Sequence, residues 1–187
     1  AQVAQYLRAM KFTGKPGSLI SAMDSAGQLA HFTGIKSFDD MYAIADLPLK
    51  LGAGSYALCP KTEADLTAEQ QTKLTLGWSL GSYTFDKFKS EKKTDKPLLH
   101  PPAGTDIRAV FQQAEAAFMV RDLINRPTND MSTTRLADEA MKLARQFNAK
   151  SKCVRSTVLE CDYPLIHEVG KAGQEPPQLV DFTWGDK

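Results

Sequence analysis

Residues 121–134 read RDLINRPTNDMSTT, an apolar helical run, then Asn-Arg-Pro-Thr-Asn, then a cluster of hydroxyl residues. Pro127 disfavours helical geometry at Arg126, so a helix arriving from upstream stops there. Asn125 and Asn129 flank the break, and their short amides can bond backbone groups freed by the turn. Ser132 is placed to cap a following helix by accepting from one of its free N–H groups. The stretch is thus a helix stop, a tight turn and a helix start in quick succession.

Outward from this junction the periodicity is clear. Upstream, Ile107, Val110, Phe111, Ala114, Phe118 and Arg121 lie along one stripe, predicting a helix from Thr105 or Asp106 to about Asn125. Downstream, a helix after Ser132 is expected to turn Leu136, Ala140, Leu143 and Phe147 inward. Nearer the start, Thr67-Ala68-Glu69-Gln70 fits the capping box, in which Thr hydroxyl and Gln amide satisfy each other's backbone N–H groups. Leu74, Gly77, Trp78, Gly81 and Phe85 follow at helical spacing. The two glycines weaken a helix by about 1 kcal/mol each, so they mark a seam where another backbone, expected to be a strand, approaches closely.

The remaining elements are shorter. Tyr6, Leu7 and Met10 predict a helix over 1–12, closed by Gly14-Lys15-Pro16-Gly17. SLISAM (18–23) and QLAHFTG (28–34) flank Asp24-Ser25-Ala26-Gly27 and read as a β-hairpin. Ser37 or Asp39 can cap a helix through Met41, Ile44 and Leu47 that Pro48 would end, and SYALC (55–59) reads as a strand. FDKFKSEKKTDK (85–96) is charged and PLLHPPAG (97–104) is proline-rich, which predicts an interdomain linker over 97–104 between domains 1–96 and 105–187. QLVDFTWG (178–185) alternates as a strand, with an unpaired edge expected beyond it.

Composition excludes several function classes. The 187 residues include 23 Lys plus Arg against 22 Asp plus Glu, a net charge of +1, so neither nucleic acid nor an anionic membrane is an expected partner. The lysines of 87–96 are interrupted by Asp86, Glu91 and Asp95 and read as a solvated face. Apolar runs are too short to span a membrane. Cys59, Cys153 and Cys161 are odd in number and read as reduced thiols of a cytoplasmic protein. Cys153, Cys161 and His167 lack the paired spacing of a zinc site and read instead as buried or half-buried structural residues. No Ser-His-Asp or Cys-His arrangement stands out around His31, His100 and His167.

RDLINRPTND followed by a capped helix resembles the start of the catalytic domain in the leucyl (cytosol) aminopeptidase family. LGWSLGSYTFDKFKS (76–90) resembles that family's glycine-containing helix and the segment after it. YPLIHEVGKAGQEPPQLVDFTWG (163–185) resembles its V-G-x-x-x-x-x-x-P-x-L strand entry. The resemblance implies an α/β protein: a small macro-like amino-terminal α/β domain, a helical linker and the first elements of an α/β/α catalytic domain. It further implies a hexameric enzyme of the cytoplasm. Such an enzyme hydrolyses unblocked, leucine-like N-terminal residues from peptides with two zinc, manganese or magnesium ions.

The family's metal ligands sit in a V-G-K-G-x-x-x-D-x-G-G-like strand and an N-T-D-A-E-G-R-like segment, neither of which is present. Val169-Gly170-Lys171-Ala172-Gly173 is the nearest imitation, and no Asp follows at the needed spacing. No catalytic, cofactor-binding or metal residue is therefore carried over. A two-metal hydrolase needs several carboxylates converging on ions about 4 Å apart. Asp138 and Glu139 are neighbours on a helix and point about 100° apart, while Glu168 can face inward one turn from Pro164 but is a lone acid. The chain, which opens on Ala1, is expected to be the front portion of such an enzyme, lacking a short piece before it and the catalytic core after it. The alternative is a stand-alone macro-like ligand-binding or assembly module. Gly52-Ala53-Gly54 precedes a strand, the wrong order for a phosphate loop.

Overall fold

The computed structural model describes residues 2–23, 27–59, 65–91 and 95–185. They form two compact units, Ala1–Met119 and Val120–Lys187. Both mix helices with two-stranded sheets, an α/β arrangement.

In the first unit, α1 (Gln2–Ala9) is followed by β1 (Leu19–Met23) and β2 (Leu29–Thr33), paired antiparallel from Leu19 opposite Thr33 to Met23 opposite Leu29. This is the expected hairpin; Asp24, Ser25 and Ala26 of its turn lie outside the described residues. The expected helix through Met41 and Ile44 is instead a chain of tight turns, with Ala43 N–H donating to Asp40 O, Ala45 N–H to Tyr42 O and Leu47 N–H to Ile44 O. Only α2 (Leu47–Lys50) is helical, and Pro48 lies in its first turn rather than after its end. Proline suits that position because its fixed φ is helical and its missing N–H would have had no partner there.

The capping box forms as read. Thr67 Oγ1 accepts from Gln70 N at 3.2 Å, and Gln70 Oε1 accepts from Thr67 N at 3.1 Å. They start α3 (Ala68–Gly81), which stops at the cap Ser82 and does not reach Phe85. Its buried Leu74 and Trp78 meet Ile44, Leu47 and Leu66 in one apolar cluster; Leu76 and Leu80 meet Val110 and Ala114 in a second. The glycine seam exists, but its neighbour is the turn segment and not a strand. A Cβ at Gly77 would lie 1.8 Å from Met41 O, and one at Gly81 1.7 Å from Ala45 O.

SYALC contributes only its start to β3 (Gly54–Tyr56), which pairs in parallel with β4 (Pro97–Leu99). The stretch 97–104 is therefore not a loose tether. It carries β4, Pro102 is buried, and Gly104 N–H donates to Gln71 Oε1 at 2.8 Å. The prolines are tolerated because β4 is a short strand with one partner in its sheet. Next, Asp106 caps α4 (Ile107–Asn125) by accepting from Ala109 N at 3.0 Å. Val110 and Ala114 are buried and Phe118 is half-buried, whereas Phe111, off that line, is exposed.

In the second unit, α5 (Thr133–Gln146) begins at the Ser132 cap. Its inward face is set by Ala137 and Ala144; Leu136 and Phe147, expected inside, are about half exposed. Small residues let the helix lie close on β5 (Lys150–Val154) and β6 (Leu179–Thr183), which pair antiparallel with Lys152 opposite Asp181. Between them come α6 (Ser156–Asp162) and α7 (Pro164–Gly170). The V-G-x-x-x-x-x-x-P-x-L spacing acquires a physical cause here: a Cβ on Gly170 would lie 2.3 Å from Cβ of Pro177, so the glycine makes room for the proline ring. Two residues later, Leu179 opens β6.

Candidate functional site at the start of the second unit

The Arg121–Thr134 junction is the most specific polar construction in the second unit. After α4 ends at Asn125, the N–H groups of Asp130 and Met131 both donate to Pro127 O at 2.8 Å, closing the turn. Arg126 Nε donates to Asp130 Oδ2 at 2.5 Å, and its Nη1 lies 4.0 Å from Glu139 Oε1 on α5. The arginine side chain is only 14% exposed and that of Asp130 23%, so the pair is sheltered. The hydrogen bond from Arg126 to Asp130 holds the guanidinium still more firmly protonated. Sequence reasoning placed the turn correctly but did not foresee the Arg126–Asp130 pair inside it.

The three hydroxyl residues that follow have separate partners. Ser132 Oγ accepts from Arg135 N at 3.3 Å, capping α5. Thr133 Oγ1 donates to Pro176 O at 3.0 Å. Thr134 Oγ1 accepts from Gln178 Nε2 at 2.8 Å, while Thr134 N donates to Glu175 Oε2 at 3.2 Å. A strap over residues 175–178 is thereby fastened to the start of α5. The Glu175 carboxyl is held below the usual glutamate range, chiefly by its hydrogen bonds to Thr134 and then Ser132. A carboxylate also suits the positive end of the helix dipole. An open depression of about 380 Å³ lies here, lined by Ser132, Thr134, Arg135, Asp138, Glu139 and Glu175.

The individually considered residues are dispersed. Asp138 faces Arg155 Nη2 at 3.5 Å, and Glu139 lies near Arg126 and, at 3.9 Å, Lys142, so the two acids serve different partners. Glu168 does not turn inward: it is exposed and pairs with Lys171, whose ammonium holds its carboxyl below the usual range. The lysine of the Val169-Gly170-Lys171 imitation is therefore engaged locally.

Cys161 is exposed, contrary to the buried or half-buried reading, since it stands in the last turn of α6; Cys59 is exposed as well. Only Cys153 is half-buried. Its Sγ accepts from Arg155 Nε at 3.0 Å and lies 3.6 Å from Gln178 Oε1. The bond to Cys153 is the main cause raising the Arg155 pKa.

One serine does meet a histidine. Ser21 Oγ lies 2.8 Å from His31 Nδ1, as cross-strand neighbours on the exposed hairpin, with the Tyr56 ring against the imidazole at 5.6 Å. The hairpin register contained this pairing, and sequence reasoning did not draw it out. Among the described residues, no group of three His, Cys, Asp or Glu side chains is placed to hold a metal ion.

The first unit carries a second open depression, of about 540 Å³, between α3 and the start of α4. Its charged groups are already matched: Lys73 meets Glu69 at 2.6 Å, and Asp106 caps α4.

With this arrangement described, comparison with known proteins gives consistent results. A family profile described as "M17 aminopeptidase, N-terminal domain" matches residues 1–101, and one described as "Cytosol aminopeptidase family, catalytic domain" matches residues 118–187. A probable cytosol aminopeptidase of Aquifex aeolicus is 33% identical over 126 residues, covering 64% of this chain and 26% of that protein. One of Rhizobium meliloti is 25% identical over 198 residues, covering 93% and 40%. The chain thus spans between about a quarter and two fifths of the length of these curated relatives.

Among solved structures, the cytosol aminopeptidase of Coxiella burnetii superposes with a TM-score of 0.82 at 30% identity, covering 100% of this chain and 40% of that one. The bottromycin maturation enzyme BotP, also solved in complex with Mn, shares the fold: one of its structures gives a TM-score of 0.76 at 23% identity, covering 96% of this chain and 43% of that one. The relatives are named as cytosol proteins, and no helix among the described residues is long and apolar enough to cross a membrane. Two successive profiles, the amino-terminal one covering more than half of the chain, place it plainly: this chain belongs to the cytosol aminopeptidase family.

Proposed function

We propose that this chain is the scaffold portion of a metal-dependent aminopeptidase that releases unblocked N-terminal residues, leucine-like ones preferred, from peptides. The single observation that carries this reading is the ordered match of an amino-terminal and a catalytic-domain profile along one chain. In that reading residues 1–96 are the amino-terminal domain, 97–104 the pinned connection, and 105–187 the beginning of the catalytic domain. The working enzyme is a hexamer of the cytoplasm, and its two divalent ions are zinc, manganese or magnesium.

The donor set of the described residues does not fit a pair of such ions, because no three of their His, Cys, Asp or Glu side chains come together to hold one. No step of peptide hydrolysis is assigned to them. Their part is to fix the start of the catalytic domain: Arg126 holds the turn, and the 175–178 strap sets where β6 begins.

The test compares the purified 187-residue chain with the product of its complete gene, each incubated with zinc, manganese or magnesium and a leucyl chromogenic substrate. The longer product is expected to turn over substrate in a metal-dependent way, and the 187-residue chain to stay at the metal-only blank. Metal-dependent turnover by the 187-residue chain would overturn the assignment. An inactive complete product that nonetheless binds a small ligand would favour the module reading.

A further inference from the structure

We draw no further inference here: the strongest candidate, the apolar groove between the end of α5 and β6 lined by Leu143, Phe147, Phe182 and Trp184, carries none because nothing in the structure shows what covers it.

Discussion

Replacing Gly81 by alanine sets two effects of opposite sign against each other. In an isolated helix the change is favourable, since alanine is better than glycine by about 1 kcal/mol. In α3 the new methyl would lie 1.7 Å from Ala45 O and 2.7 Å from Ala45 C. Reaching ordinary contact requires the two backbones to separate by about 1.5 Å, and overpacking of this kind costs roughly 1–3 kcal/mol, occasionally more. The upper end applies because the obstacle is a main-chain carbonyl that cannot rotate aside. Its turn is also tied down by Ile44 and Leu47, both buried in the core.

A net loss of about 2 kcal/mol remains after the helical gain, which for a unit of this size lowers Tm by roughly 8 °C. Gly77→Ala should behave alike, its methyl meeting Met41 O at 1.8 Å. The double variant should lose less than the sum, because both sites press on the same segment. Thermal unfolding followed by Trp78 fluorescence, in a Trp184→Phe background that silences the second unit, reads the effect. A Tm for Gly81→Ala equal to or above that of the parent would refute the close approach.

Three further outcomes are expected. Trp78→Ala empties a site only 5% exposed at the centre of the first cluster, and urea unfolding should show a loss of about 3–5 kcal/mol; a loss under about 1 kcal/mol would move Trp78 out of the core. Glu175 has a lowered folded pKa, so its stabilisation of the second unit is present above the ordinary glutamate value of 4.5 and disappears as pH falls through the lower folded value. Glu175→Gln should therefore flatten the fall of stability with pH below that point, and an unchanged slope by circular dichroism would count against the strap. Finally, brief treatment with the broad-specificity protease proteinase K should cut around the exposed Lys87–Lys89 before any bond between 97 and 104 breaks, because β4 and the Gly104 bond protect the latter; first cleavage within 97–104, read by mass spectrometry, would contradict that.

What could be read from the chain alone was what is decided within a turn or two of helix. The Thr67–Gln70 box and the Ser132 cap are short-range chemistry, and both formed as expected. The glycine pair announced a close approach, but its partner lies more than thirty residues away and was named wrongly. KSKCV (150–154) carries too many lysines to read as a strand; it becomes β5 because β6 supplies its ladder. The inward face of α5 was expected from Leu136, Ala140, Leu143 and Phe147, whereas its fully buried residues are Ala137 and Ala144, with Ala140 and Leu143 half-buried.

The junction shows the same division. Pro127 was legible as a stop because its ring acts on its neighbour. Glu175 reaching Thr134 spans 41 positions and left no local trace. The separation of Asp138 from Glu139 follows from helix geometry alone and was readable, while Arg155 and Arg126 as their respective partners were not.

The contact between Gly170 and Pro177 makes the loop between them a gauge of fixed length. Its residues can change in kind, since Lys171, Ala172, Gly173 and Gln174 are exposed, but their number is constrained from both ends. One residue more or fewer would either lift the proline off the glycine or carry the error into β6, where side chains alternate between faces. In that case Leu179 and Asp181 would exchange sides with Val180 and Phe182, turning the strand inside out. Among relatives that keep this glycine and proline, drift within 171–176 should therefore take the form of substitution, with insertions and deletions displaced to other loops.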